Sequence, residues 1–231
     1  MSRVNFRPLF LAAVLVAPGL LFSQAPQTMS SPPAQAGAKP AKETGKRDGK
    51  TPSSVDVDSA ATAALRTAFA AQRTKGSYRA LLDTSLGGNV LPSLEVEAVY
   101  PDRIRLKRSG LEIIFVAGKG MLRRGDNWTP APATLAKSLG AIDDPQEDEK
   151  LLGNAVYAKS LGQTKMDDRL VAGYEIHRKG KNGLTKSKFF ISMDDSLIRR
   201  IETRAEIQGR PLISTSRVGD YGIPIQIELP K

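Results

Sequence analysis

The chain has 231 residues, 24.9 kDa, no cysteine, one histidine and 34 Lys+Arg against 24 Asp+Glu, a net charge of +10. Hydrophobic residues make 40% and charged residues 25%, an ordinary globular composition that excludes wholesale disorder, collagen and coiled coil. The missing cysteines remove disulfides, thiolate nucleophiles, Fe–S clusters and an acylated N-terminal cysteine, and a lone His177 gives no multi-His metal site or His-based triad.

Arg3 and Arg7 precede an apolar stretch of fifteen residues, Pro8 to Phe22, interrupted by Pro18-Gly19. A spanning helix needs roughly 20 apolar residues. The pattern reads as a secretory signal peptide over residues 1–23, cleaved after Ser23, with an uncleaved anchor as the alternative. An exported protein works outside the cytoplasm, and the expected compartment is the periplasm. Residues 24–57 carry Pro26, Pro32, Pro33, Pro40 and Pro52 among Ala, Ser, Gly and Lys, with no apolar periodicity. They are expected to be a disordered linker, because such a segment cannot bury enough surface to offset its ordering entropy.

The folded domain is placed at 58–231. Ala61, Leu65, Ala68 and Phe69 recur at helical spacing from an N-cap at Asp58 or Ser59, and Gly76 ends the helix. From Ser77 the period becomes two. Tyr78, Ala80, Leu82, Thr84 and Leu86 alternate with Ser77, Arg79, Leu81, Asp83 and Ser85; Leu94, Val96 and Ala98 alternate with Glu95 and Glu97; Ile104 and Leu106 alternate with Arg103, Arg105 and Lys107. Leu111 to Ala117 and Met121 to Arg124 follow, a meander with one apolar face. The shared phase puts Leu82, Val96, Ile104, Leu106 and Phe115 on one face. A short helix is expected over Ala133–Leu139, and another from Pro145, behind Asp144 as cap, to about Leu161. Six further strands are expected: Thr164–Arg169, Val171–Lys179, Lys186–Met193, Leu197–Ala205, Leu212–Val218 and Ile225–Leu229. The fold class is α+β: a single curved antiparallel sheet of ten or eleven strands, an unclosed half-barrel, covered by about three helices.

The motifs that could carry chemistry mostly read as structure. Asp167-Asp168 and Asp194-Asp195 stand in turn contexts, Gly118-Lys119-Gly120 lacks phosphate-loop spacing, and His177 lies beside Glu175 and Arg178. Arg103, Arg105, Lys107 and Arg108 read as a solvated sheet exterior or a polyanion site, without the interleaved aromatics of a nucleic-acid surface. Trp128 is read as a core plug or as a pocket rim. Neither a cofactor nor a catalytic or metal-binding residue is expected. The helices offer mostly Ala, Leu and Val against a long sheet. That pattern suits a cavity as well as a packed core.

Several stretches in order resemble the LolA-type periplasmic lipoprotein carriers and their LppX/LprG-like lipid-binding relatives. They are Gly76-Ser77-Tyr78-Arg79-Ala80, Val99 to Arg105, Ile114 to Lys119 with Asp126-Asn127-Trp128-Thr129, Asp168 to Ile176, Asp194 to Arg200, and Asp220-Tyr221-Gly222-Ile223-Pro224. The resemblance implies a helix-lidded half-barrel over residues 59–230 that carries acyl chains of lipoproteins or other lipids without catalysis. Its partners would be an inner-membrane donor and an outer-membrane acceptor, with passing membrane-surface contact, no nucleic acid, and a monomeric state. The implied cavity residues are Leu82, Val96, Ala98, Ile104, Leu106, Phe115, Trp128, Leu135, Leu139, Leu152 and Val156. Tyr100 stands where the enterobacterial carriers have a lid-holding arginine. On this reading Trp at Ala98 or Ala155 should enter existing space at little cost in stability. The alternative is a half-barrel module, such as an envelope-stress sensor, that binds a protein partner.

Overall fold

The structure, a computed structural model, describes residues 56–132, 135, 145–180 and 183–230. Helix α1 (Ser59–Thr74) starts where Asp58, in an extended conformation, accepts a hydrogen bond from the Ala60 amide at 2.8 Å. It ends before Gly76, whose φ of 76° suits glycine. Among the described residues twelve strands form one sheet in the order β1-β8-β9-β10-β11-β12-β2-β3-β4-β5-β6-β7. The first meander comprises β2 (Ser77–Leu86), β3 (Asn89–Val99), β4 (Arg103–Arg108), β5 (Leu111–Val116), β6 (Lys119–Arg124) and β7 (Asn127–Pro130). The second comprises β8 (Ala155–Met166), β9 (Arg169–Gly180), β10 (Gly183–Ser192), β11 (Ile198–Ile207) and β12 (Arg210–Gly219). Antiparallel pairing of β12 with β2 joins them. The sheet does not close. At one end β1 (Asp56–Val57) pairs with β8 in parallel, so the sheet is mixed, and it begins two residues inside the stretch assigned to the linker.

The inner face carries two apolar clusters. In the first, Ala61, Leu65, Ala68 and Phe69 of α1 and Leu151 and Leu152 of α2 (Pro145–Gly153) pack on Tyr78, Ala98, Ile176, Phe189, Ile191 and Val218. In the second, Leu82, Leu94, Val96, Ile104, Leu106, Ile113, Phe115 and Leu122 pack with Leu135. Ion pairs of Arg66 with Glu149 (2.8 Å) and of Arg73 with the buried Asp148 fasten α2 to α1.

Three expectations need correction. The second helix stops at Gly153, and Ala155 to Met166 is a strand. Bulges between Ala155 and Tyr157 and between Ser160 and Gly162 break its period of two, and the resulting apolar spacing imitates a helix. Ile225–Leu229 adds no strand. The segment runs from β2 towards β4: the Ser77 hydroxyl donates to the Ile223 carbonyl (2.6 Å) and Arg103 donates to the Ile227 carbonyl (3.4 Å). Pro224 has no amide to give to a ladder. Asn127–Pro130, not expected as a strand, pairs with β6 as β7. The helix expected over Ala133–Leu139 lies outside the described residues except for Leu135, which is helical and buried.

Gly120 is required by space. It faces Phe115 across β5 and β6, and a Cβ there would lie 2.2 Å from Phe115 Cε1 and 2.9 Å from Ala131 Cβ. Gly120→Ala should therefore cost roughly 1–3 kcal/mol by displacing the ring from the core. A urea melt indistinguishable from wild type would remove this account.

Candidate functional site

Register places Leu82, Val96, Ala98, Ile104, Leu106 and Phe115 on the inner face, all buried, as their common phase predicts. Leu152 is buried in the first cluster and Leu135 in the second. Leu139 lies outside the described residues. Two candidates do not belong with the rest. Val156 is the extra residue of a β8 bulge and is 36% exposed. Trp128 pairs with Arg123 on the outer face, its ring 5.4 Å from the Arg123 guanidinium. Its strand phase follows from a β6–β7 hairpin that has too few residues to show a period.

Between the two clusters lies a hollow lined by Gln72 of α1 and by Tyr78, Ala80, Leu82, Val96, Ile201, Thr203, Ser214, Ser216 and Val218. Its enclosed volume is about 40 Å³, room for a few waters and too little for an acyl chain. One wall is polar. Ser187, Thr203, Ser214 and Thr84 stand side by side on β10, β11, β12 and β2, all buried, with the Ser187 and Thr203 hydroxyls 3.3 Å apart. The Thr84 hydroxyl has no hydrogen-bond partner among the described residues. This row went unread in the sequence because its members are scattered over about 130 residues, and Thr84 meets the others only through β12–β2 pairing.

Tyr100 packs on Tyr78 with ring centroids 6.0 Å apart; Tyr221 flanks Tyr78 at 6.1 Å and donates to the Ile198 carbonyl. Burial pushes the Tyr221 hydroxyl far above its ordinary value.

The outer face carries an alternating charge ladder. Arg79 bonds Glu97 (3.0 Å), Glu97 bonds Arg105 (3.0 Å), and Glu112 joins Arg105 (3.3 Å) to Arg123 (2.6 Å). Arg105 is thus paired in a solvated exterior. Burial by itself would raise the Glu97 carboxyl, but hydrogen bonds and charge from Arg79 and Arg105 hold it below the usual range. A depressed folded value contributes stability that is complete above the unfolded value, about 4.3, and is lost as pH falls through the folded one. The destabilisation caused by Glu97→Gln should therefore be constant from pH 7 to 5 and shrink below about pH 4. An equal penalty at pH 7 and pH 3 in urea melts would contradict it.

Arg108 departs from that exterior. It shares the phase of Ile104 and Leu106, faces inward, and is 8% exposed. Its Nε has no hydrogen-bond partner among the described residues, and burial lowers its pKa. Arg178, also on the inner face, is pushed down to about 10 by burial but has partners of its own. Period-two phase alone would have separated Arg108 from Arg103, Arg105 and Lys107. Elsewhere the polar motifs are structural. Asp167 and Asp168 form a turn with φ of 47° and 63°, Asp195 accepts from the Leu197 amide (3.1 Å), and His177 bonds Glu175 (2.6 Å) and stacks on Tyr157. The described residues hold no cluster of three or more metal-ligating side chains, and none of their helices is long and apolar enough to cross a membrane.

The open, mostly antiparallel sheet, with helices and a hollow on its inner side, is a fold shared with solved structures of other proteins. The lipoprotein LppX of Mycobacterium tuberculosis superposes with a TM-score of 0.53 at 13% identity, over 74% of this chain and 100% of that one. LprF from Mycobacterium bovis aligns at 0.49 with 14% identity over 76% and 99% of the two chains. MucB in the MucA/MucB complex of Pseudomonas aeruginosa aligns at 0.44 with 16% identity over 70% and 58%. The last two superpose too loosely to carry an argument. No family model matches the sequence, and none of the curated proteins does.

Proposed function

We propose that the domain is a non-enzymatic periplasmic carrier that takes acyl chains of lipoproteins or other lipids into the inner-face hollow. The observation that carries this reading is the position of the hollow. It separates two apolar clusters on the concave side of an unclosed sheet, beneath the end of α1, so a chain entering it meets Tyr78, Leu82, Val96, Ile201 and Val218. Burial of a chain would contribute about 0.8 kcal/mol per CH₂, without directional contacts. Its small enclosed volume means that loading must part the helices from the sheet. Of the ion pairs of α2 with α1, that of Arg66 with Glu149 is exposed and cheap to break, so the pair of Arg73 with the buried Asp148 is the one that opposes opening. The export signal read at residues 1–23 and the resemblance to the LolA-type carriers supply the compartment and the direction of transport, from an inner-membrane donor towards an outer-membrane acceptor.

Native mass spectrometry of the protein purified from an envelope fraction tests the reading. Co-purified lipid, displaced by added fatty-acyl probe, is expected. A protein free of lipid that also binds no probe in fluorescence titration would sink it and leave the half-barrel as a protein-binding module.

A further inference from the structure

Arg108 is a cation in the wrong place for a structural residue. It ends β4, where Glu95 pairs with Lys107 and the next step brings Arg108 level with Leu94 on the inner face. Leu94 in turn pairs with Leu82, which lines the hollow. The guanidinium therefore stands at the margin of the second apolar cluster, one strand from residues that line the hollow. It is 8% exposed, and its Nε finds no acceptor among the described residues. Burial lowers its pKa, and no carboxylate among the described residues forms an ion pair with it. Its neighbours on β4 and β5 differ: Arg105 faces outward and is held by Glu97 and Glu112. Further along the same inward row, through Leu111, comes Arg124 on β6, roughly 10 Å away by strand spacing. Arg124 is exposed and has contacts of its own. Leaving the buried Nε of a guanidinium without an acceptor is costly, whereas a planar fork of donors beside an apolar recess suits two anionic oxygens.

We propose that Arg108 is the headgroup anchor of the hollow, pairing with the anionic oxygens, carboxylate or phosphate, of an acyl amphiphile whose chain runs past Leu94 and Leu82. The inference rests on the carrier reading and narrows its ligand to acidic amphiphiles. A charge-assisted pair of this kind gives a preference of about 10- to 100-fold over a neutral headgroup.

The test measures binding of oleate, oleoyl lysophosphatidate and neutral monoolein to the full chain and to Arg108→Gln and Arg108→Lys. Wild type should bind one or both anionic probes at least tenfold tighter than monoolein. Preference for oleate alone assigns a carboxylate, and preference for lysophosphatidate a phosphate. Arg108→Gln should bind all three as wild type binds monoolein, while Arg108→Lys keeps part of the preference because it retains the charge but loses the fork. Melts of the unliganded variants check folding; removing an unpaired buried charge should leave the midpoint equal or higher. If monoolein binds and Arg108→Gln retains the anionic preference, the anchor is refuted and the carrier reading stands. If wild type shows no preference, the anchor is refuted as well. If no probe binds at all, the carrier reading fails and the anchor with it.

Discussion

Phe189→Ala should lower the unfolding free energy by about 3–5 kcal/mol, the range for truncating a buried phenylalanine. The ring is fully buried on β10 and meets Phe69 of α1 edge to face, with centroids 5.9 Å apart and planes at 80°. It stands between Tyr174 and Ile201 in the inner row, so its loss opens a cavity under the helix that neither strand can close. For a domain of this size the thermal midpoint should fall by about 6–20 °C. Phe189→Leu, which keeps most of the volume, should cost less than about 1.5 kcal/mol if the leucine repacks. A Phe189→Ala protein within 1 kcal/mol of wild type, on the scale of ordinary surface effects, would mean that α1 is not seated on β10 as described.

Ala98→Trp should be destabilising by about 3 kcal/mol or more, the upper end of overpacking. This reverses what the sequence suggested. Ala98 is fully buried between Tyr78 and Ile104 in its row, in a cluster that also contains Leu65 and Phe69 of α1. Ala155 lies in the same cluster and should behave alike. The empty space is one row away. Ala80 lines the hollow, so Ala80→Leu should cost less than about 1 kcal/mol, because the added methylenes enter space rather than neighbours. The same change should weaken acyl-probe binding by occupying the place of the chain. Paired urea melts and probe titrations read both quantities. Equal destabilisation by Ala98→Trp and Ala80→Leu would show that the hollow is as tightly packed as its surroundings.

Local pattern was enough to determine the first meander from β2 to β6. Apart from an irregularity in β3 between Leu91 and Leu94, the period of two holds in the strands from Ser77 to Val116, and period two decides which face a side chain takes. That is why Leu82, Val96, Ile104, Leu106 and Phe115 come together on one face and Arg103 and Glu97 on the other. Asp58, Gly76 and the Asp-rich turns were legible for the same reason: their roles depend on the nearest few bonds.

Only the tertiary structure decided the rest. The bulges of β8 insert residues that shift the phase, so Ala155, Val156 and Ala158 read as helix until pairing with β9 shows them as strand. The hydroxyl row exists only because β12 pairs with β2, a contact between residues about 130 positions apart that no local period encodes. The hollow could not be distinguished from a packed core by patterning, since apolar alternation reports which face is buried and not how completely it is filled. Arg108 lies between these cases. Its inward phase was written in the sequence, but among Arg103, Arg105 and Lys107 its charge spoke for solvent, and its burial without a partner is a property of the assembled sheet.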